Sequence, residues 1–287
     1  MKNILVVFTG GTICSGAEDG IISPDENSID RILGFGKFDG VSFESIKPVF
    51  ILSENLSGEY LNSIISAVRD EISAVPSDKS PDGVIVLHGT DTLQYTASAL
   101  NIAFGSADIP IAVTGADKPS DDEESNASSN FALSVKTVTQ DKKKGVYICY
   151  NGKVMSPFSV FHHLEMSDEI YTDGFDYGTV PAPEFVFPEK SSVLVVKPYP
   201  GCGYYYDLEH VKSVLFEPYH SGTLPTSNGD FVDFCFKLKD KKIKMYVCDQ
   251  AEGDIYESQT SFSLLGIKPI ALHAIPAYML LWAGAKL

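Results

Sequence analysis

Apolar residues along the chain occur in short runs, and stretches of helical spacing separate these runs. The runs predict buried strands at Ile4–Phe8, Val49–Leu52, Val84–Leu87, Ile109–Val113 and Gly145–Tyr150. The intervening stretches predict helices that begin at Ser57, extend from Thr92 to about Phe104, and include Asn130–Val138. This alternation of strand and helix predicts an α/β fold with a parallel sheet and flanking helices.

A Pro-rich stretch, Val180–Pro188, interrupts this pattern. Such composition is typical of a linker between domains. Beyond it, further elements are predicted: strands Ser192–Val196, Ser213–Phe216 and Lys244–Val247, with a helix around Phe231–Lys239. We therefore predict an N-terminal domain over residues 1–180, a linker over 181–191, and a smaller α/β domain over 192–287.

The net charge of −16 limits the classes of partner. It disfavours nucleic acid and anionic membranes, because binding to phosphate needs clustered Lys and Arg. The first apolar run is too short for a signal peptide, and no stretch approaches the roughly 20 residues of a membrane span. We therefore expect a cytoplasmic protein that binds neither nucleic acid nor membrane.

The sequence predicts neither a metal nor a cofactor. The five cysteines are widely spaced and form no CxxC pair, which argues against structural zinc and a disulfide framework. The pair His162–His163 lacks cysteine or carboxylate partners at ligand spacing. Neither nucleotide-binding glycine motif, GxGxxG or GxxxxGK[ST], is present.

A glycine-rich loop, Thr9–Ile13 (the first loop), follows the first predicted strand. Its two glycines allow the backbone to turn sharply and to approach a ligand closely. They also leave amide N–H groups available as oxyanion donors, with the hydroxyl of Thr12 beside them. A plain tight turn is the alternative interpretation of this loop.

Two further loops carry hydroxyl and carboxylate groups at strand ends. They are His88–Thr92 (the second loop) and Thr114–Pro119 (the third loop). A helix cap explains one residue of the second loop but not the whole run. We interpret His88 as a structural histidine. Since parallel sheets bind ligands beyond the carboxyl ends of their strands, the three loops are expected to converge on one pocket.

Together, the first and second loops resemble the two signature motifs of bacterial-type L-asparaginases. Residues Thr114–Ala116, Thr96–Leu100 and Tyr199–Gly201 are similar to the cytoplasmic type I branch of that family. The resemblance implies a threonine-dependent amidohydrolase that converts L-asparagine and water to L-aspartate and ammonia. Its partner would be a small-molecule amino-acid amide.

The resemblance also implies roles for individual residues. Thr12 matches the primary nucleophile, and Thr90 matches the second catalytic threonine. Asp91 matches the residue that binds the substrate amino group and supports the second threonine. Ser53 matches the serine that holds the substrate carboxylate. The other positions expected to bind substrate are Gly11, Glu54, Gly89 and Ala116.

Two positions depart from the pattern of the family. Ile21 stands where the family has a tyrosine, on the loop after the first motif. An alignment without gaps from Tyr150–Val154 places His162 where the family has a catalytic lysine. A neutral histidine can serve as a base because its pKa lies near working pH. The alternative is that His162 is an ordinary loop residue.

The family forms dimers and dimers of dimers whose sites are completed across subunits, so the resemblance implies a homodimer or homotetramer. The turn that reaches the neighbouring site in the family reads Tyr219–Thr223 here. Thr223 offers a hydroxyl where the family has an asparagine.

Three functions are compatible with this sequence. The first is hydrolysis of an amino-acid amide, and the second is an asparaginase-fold protein that binds amino acids with little or no hydrolysis. The third is the tRNA-amidotransferase subunit that shares this fold. We expect it least, because the chain begins at the first catalytic strand and its negative charge suits RNA poorly.

Overall fold

The computed structural model describes residues 1–73, 80–141, 144–162, 169–175, 177–178, 185–250 and 253–285. The chain divides into two compact units, Met1–Glu189 (unit 1) and Lys190–Leu287 (unit 2). The division falls within the predicted linker, of which residues 181–184 lie outside the described residues.

Unit 1 is built on a six-stranded sheet with the order β4-β1-β5-β6-β7-β8. All neighbours in it are parallel except β7 and β8, which form an antiparallel pair. Its strands are β1 Lys2–Phe8, β4 Val41–Ile46, β5 Gly83–Leu87, β6 Pro110–Thr114, β7 Gly145–Tyr150 and β8 Lys153–Met155. A separate antiparallel hairpin consists of β2 Ser15–Glu18 and β3 Ile21–Pro24.

Helices cover both faces of this sheet. They are α1 Ser28–Leu33, α2 Gly58–Ile72, α3 Leu93–Phe104 and α4 Ala127–Lys136, which continues as a π-helical turn over Thr137–Asp141. Alternate residues of β1 (Ile4, Val6 and Phe8) share one core cluster with α1 and α4. The residues between them are also buried and face the side where α2 and α3 contact each other. The predicted α/β class is confirmed.

The strand order creates a switch point beside the first strand. From β1 the chain goes to β4 on one side and later to β5, β6 and β7 on the other side. Sheets of this kind bind ligands outside the carboxyl ends of the strands at the switch point, which here lies between β1 and β5. The first loop follows β1 and the second loop follows β5, so both loops lie at the switch point.

The predicted second strand, Val49–Leu52, is wrong. The strand that pairs with β1 is β4, whose apolar and polar residues alternate because it is a half-exposed edge strand. Residues 49–52 form a loop with a single bridge between Ile51 and Gly10. Their apolar character has another cause, since Phe50 packs against the core of unit 1.

Unit 2 is a smaller α/β unit with a four-stranded parallel sheet of order β12-β11-β10-β9. Its strands are β9 Val193–Val196, β10 Ser213–Phe216, β11 Lys244–Val247 and β12 Ile267–Pro269. Its helices are α5 Gly229–Asp240, α6 Glu257–Thr260, α7 Phe262–Leu265 and α8 Ala274–Trp282. Helices α5 and α7 share a core cluster with one face of the sheet, and α8 shares one with the other face.

The three strands and the helix predicted beyond the Pro-rich stretch correspond to β9, β10, β11 and α5. In the part of the chain that the structure describes, each helix is too short or too polar to span a membrane.

Candidate active site

The first and second loops touch through their backbones. The first loop is also bonded to the loop at residues 49–52: Gly11 donates its N–H to the carbonyl of Ile51 at 2.8 Å, and Ile51 donates its own N–H to the carbonyl of Thr9 at 3.1 Å. Gly11 has a φ of 72°, and a Cβ added there would lie only 2.2 Å from the Cα of Gly89. Glycine is therefore required at position 11, both by conformation and by the lack of space.

Ser53 lies against the second loop from another side. Ser53 begins a short 3-10 turn, Ser53–Asn55, and is 5% exposed. A Cβ added to Gly89 would lie 2.3 Å from Ser53 Oγ. Thr92 Oγ1 donates a 2.8 Å hydrogen bond to the Ser53 carbonyl. Ser53 is thus fixed beside the loop that carries Thr90, whereas Glu54 next to it is exposed.

The third loop completes this convergence. A Cβ added to Gly115 would lie 2.6 Å from the carbonyl oxygen of His88 and 3.4 Å from Cγ2 of Thr90. Ala116, the next residue, is fully buried. The backbone around Ala116 therefore adjoins Thr90.

Thr12 and Thr90 lie on adjoining loops. Each directly follows one of the two glycines, Gly11 and Gly89, whose backbones are in contact. Both threonines are half-buried, while Asp91 is exposed. The loops that carry these two hydroxyl groups and this carboxylate therefore adjoin at the carboxyl ends of β1 and β5.

His88 joins the second loop to α3 through two hydrogen bonds of its ring. Its Nδ1 lies 2.9 Å from the Gly89 carbonyl, which can only accept, so Nδ1 carries the proton and Nε2 accepts from Thr96 Oγ1 at 2.8 Å. Burial lowers the pKa of His88 to about 4, against the opposing effect of the bond to Gly89. His88 is therefore neutral near pH 7, and its role is to support the second loop.

His162 lies near the start of α3. It is exposed, and its ring centroid is 6.5 Å from that of Tyr95 in the first turn of that helix. This helix begins two residues after Asp91, so His162 lies beside the helix that follows the second loop. His163 lies outside the described residues.

Ile21 is at the tip of the β2–β3 hairpin. Asp19 and Gly20 form the two-residue turn with φ values of 51° and 77°. Ile21 follows them, pairs with Glu18 and is 70% exposed. Sequence reasoning missed this hairpin, although an Asp-Gly pair next to short strands is a recognised hairpin signal.

Sequence reasoning also missed two residues that support the loops through hydrogen bonds. One is Thr92, which the sequence pattern predicts only as a helix start but which binds the Ser53 carbonyl. The other is Asn130, which is 1% exposed; its Nδ2 donates to the Gly115 carbonyl at 3.0 Å, and its Oδ1 accepts from the N–H of Asn151 at 2.9 Å. A polar residue inside an otherwise apolar helix face was the available signal.

In unit 2, the turn Tyr219–Thr223 follows β10. The N–H of Tyr219 donates to the Thr223 carbonyl at 2.9 Å, and the N–H of Gly222 donates to the Tyr219 carbonyl at 2.8 Å. Gln250 Nε2 donates to the Gly222 carbonyl at 3.0 Å, which ties the turn to the loop after β11. Across the described residues of both units, no three His, Cys, Asp or Glu side chains are arranged to hold a metal ion.

A comparison with family models identifies the class of protein that this fold and these loops define. The model described as "Asparaginase, N-terminal" matches residues 3–166. The chain therefore belongs to the asparaginase family, a family of amidohydrolases.

Solved structures agree with this assignment at the level of the fold. The thermostable L-asparaginase from Thermococcus kodakarensis superposes with a TM-score of 0.74 at 20% identity, covering 99% of this chain and 93% of that chain. L-asparaginase I from Vibrio cholerae gives a TM-score of 0.75 at 19% identity, covering 98% and 92%.

Curated relatives match at higher identity over shorter segments. A glutamyl-tRNA(Gln) amidotransferase subunit from Methanosphaera stadtmanae is 32% identical over 178 residues, which are 61% of this chain and 39% of that protein. The corresponding protein from Methanococcus maripaludis is 34% identical over 156 residues, 53% of this chain and 36% of that protein. The chain thus spans less than half the length of these relatives.

Proposed function

We propose that this protein hydrolyses the side-chain amide of a free amino acid, L-asparagine first, to give the carboxylate and ammonia. The observation that carries the proposal is the backbone contact between Gly11 and Gly89. That contact brings the loops of Thr12 and Thr90 together at the switch point of the sheet.

Thr12 acts as the nucleophile in this proposal. Its Oγ1 attacks the amide carbon, its proton passes to a base, and the carbonyl oxygen takes up negative charge. Backbone N–H groups around Ala116 and Thr90 stabilise that charge. The C–N bond then breaks, ammonia leaves with the proton, and an ester to Thr12 remains. Water hydrolyses the ester and restores the hydroxyl group.

Substrate binding is assigned to groups that already surround the two loops. Asp91 is an exposed carboxylate and can pair with the substrate ammonium group. Ser53 Oγ lies against Gly89 and can donate to the substrate carboxylate. Glu54 is exposed next to Ser53 and would favour an ammonium group nearby.

The base is assigned to His162. The imidazole lies against Tyr95, in the helix that starts directly after the second loop. A neutral imidazole can accept the threonine proton, and no lysine is needed for that step. In this proposal the proton of Thr12 reaches His162 through the hydroxyl of Thr90, and substrate binding brings the exposed imidazole within hydrogen-bond distance of Thr90, since proton transfer needs that distance.

Ammonia release from L-asparagine and L-glutamine tests this function. We expect turnover of L-asparagine and a lower kcat/KM for L-glutamine, whose additional methylene displaces the amide carbon from a nucleophile held on a rigid loop. Turnover of neither amide would contradict the proposal.

The same samples distinguish hydrolysis from mere binding. A rise in melting temperature with L-asparagine or L-aspartate, without ammonia release, would favour a binding protein on the asparaginase fold. Ile21 is the structural reason to test this alternative, because its side chain cannot relay a proton.

The second candidate is a subunit of an amidotransferase that acts on glutamyl-tRNA(Gln). Relatives of that name are 32% and 34% identical to this chain over the matched segments, which favours testing it. Ammonia release measured with and without glutamyl-tRNA(Gln) separates the candidates. We expect no stimulation, because the net charge of −16 disfavours RNA binding. Stimulation would favour the amidotransferase.

We also propose a homodimer or homotetramer, on the basis of the family resemblance. The ordered turn Tyr219–Thr223 is the segment that would reach a neighbouring subunit. Light scattering on the purified protein tests the assembly, and a monomer at micromolar concentration would contradict it.

A further inference from the structure

The side chain of Gln94, in the first turn of α3, is buried without hydrogen bonds. The residue is 0% exposed. Neither Nε2 nor Oε1 has a hydrogen-bonding partner among the described residues. A buried amide without bonds is destabilising, because its hydration is lost and not replaced. An apolar side chain of the same length would therefore be more favourable at this position in the free protein.

Two other polar residues share this face of α3. Ser98 and Asn101 follow Gln94 at spacings of four and seven residues. Their bonds lead to two segments that follow β8: Ser98 Oγ donates to the Pro157 carbonyl and Asn101 Nδ2 donates to the Gly178 carbonyl. Both bonds measure 3.5 Å, which is long for a hydrogen bond. The polar face of α3 is thus only weakly bonded.

The segment that α3 faces also carries His162. The short turn Pro157–Ser159 lies against α3, and three residues beyond it His162 lies beside Tyr95. Gln94 precedes Tyr95 and follows Asp91 by three residues. Along the chain it is therefore adjacent both to the loop that carries Thr90 and to Tyr95, the residue beside the assigned base.

We propose that Gln94 is a positioning residue for His162. When substrate binds, residues 157–162 shift toward α3, their backbone groups take up the hydrogen bonds of the Gln94 amide, and His162 is fixed beside the second loop. This inference rests on the proposed amidohydrolase function. It explains why a destabilising polar group is present here, since local costs of this kind occur at functional sites.

The test compares Gln94→Met, which removes both polar atoms at similar length, with Gln140→Met. Gln140 is an exposed glutamine in the π-helical turn after α4 and controls for the chemistry of the substitution. For Gln94→Met we expect a melting temperature higher by about 3 °C or more without ligand. We expect kcat for L-asparagine to fall by about tenfold or more, because His162 is no longer fixed beside the second loop.

Hydrogen exchange on the wild-type protein provides a measurement that needs no variant. Amides of residues 158–162 should exchange more slowly with saturating L-aspartate, the product of the proposed reaction, than without it. This protection should be lost in Gln94→Met and kept in Gln140→Met.

Each outcome supports or overturns a stated part of the proposal. A lower melting temperature in Gln94→Met, or kcat and protection equal to those of Gln140→Met, overturns the role of Gln94 alone. A wild-type protein that neither releases ammonia nor responds to L-aspartate overturns the proposed function, and the role of Gln94 with it.

Discussion

Thr96 Oγ1 donates a 2.8 Å hydrogen bond to Nε2 of His88, and the two residues lie eight positions apart in the chain. Since Nδ1 of the same ring contacts the Gly89 carbonyl, the imidazole joins the second loop to the body of α3. The proton on Nδ1 is essential to this link, and a second proton on Nε2 would displace the Thr96 hydroxyl as donor.

This link makes stability depend on pH in a defined window. The pKa of His88 is lowered to about 4 in the folded protein, and an unfolded histidine titrates near 6.5. Between these values the unfolded chain binds a proton that the folded protein excludes. The stabilising contribution is therefore present above pH 6.5 and is lost as the pH falls toward 4.

The variant His88→Gln isolates this effect, because a glutamine can still accept from Thr96 and does not titrate. The free energy of unfolding of the wild type, relative to the variant, should fall by about 3 kcal/mol at most between pH 7 and pH 4. Denaturant titrations at several pH values measure it. A difference between the two proteins that stays constant with pH would show that the pKa of His88 is the same in the folded and the unfolded state.

Gly11→Ala tests whether the contact between the first two loops is required. Position 11 combines a φ of 72° with a Cβ position 2.2 Å from backbone atoms of Gly89. We expect a loss of about 4 kcal/mol or more in unfolding free energy, and loss of amidase activity.

Gly20→Ala is the matched control for this variant. Gly20 has a φ of 77°, and nothing lies within 4 Å of an added Cβ. It should lose about 1–2 kcal/mol through backbone strain alone. Equal losses in the two variants, measured by chemical unfolding, would contradict the close approach of the two loops.

Thr92→Val removes the hydrogen bond to the Ser53 carbonyl and keeps the shape of the side chain. Because Ser53 is assigned to the substrate carboxylate in both ground and transition states, KM should rise about three- to tenfold while kcat changes little. Thr139→Val removes a similar hydroxyl bond to the Val135 carbonyl far from the loops, and it should leave both constants unchanged. A fall in kcat without a change in KM would show that Thr92 supports another residue.

Ile21→Tyr restores the residue that the family has at the hairpin tip. Since Ile21 is 70% exposed, the larger side chain should leave the melting temperature within about 2 °C of the wild type. We expect kcat to rise several-fold, because the family has a tyrosine at this position and a phenol can relay a proton. Ile22→Tyr, on the other face of the hairpin, is the control, and an equal rise in both variants would contradict a specific role.

The sequence was informative wherever side chains are buried on both sides of the sheet. Strands such as Val84–Leu87 were predicted from uninterrupted apolar runs, because a central parallel strand is buried on both faces. The edge strand Val41–Ile46 was missed for the same reason, since its outer face is polar. The apolar run at 49–52 was misread because a loop that packs against the core has the same composition.

The loops of the candidate site could be named from motifs, but their supports could not. Nothing local in the sequence indicates that Thr92 binds Ser53 or that Asn130 binds Gly115, because each bond joins segments distant in the chain. Likewise, Gln94 resembles an ordinary helix residue, and only its burial without hydrogen bonds distinguishes it. Tertiary contacts therefore define the part of the site that sequence patterns leave open.

The most direct test of the central claim is ammonia release from L-asparagine by the wild type, Thr12→Ser and Thr12→Val. Serine keeps the hydroxyl group, and valine keeps the shape without it. We predict that Thr12→Ser retains measurable turnover, and that Thr12→Val loses at least about 1,000-fold in kcat with its melting temperature unchanged. Turnover by Thr12→Val within about tenfold of the wild type would contradict Thr12 as the nucleophile.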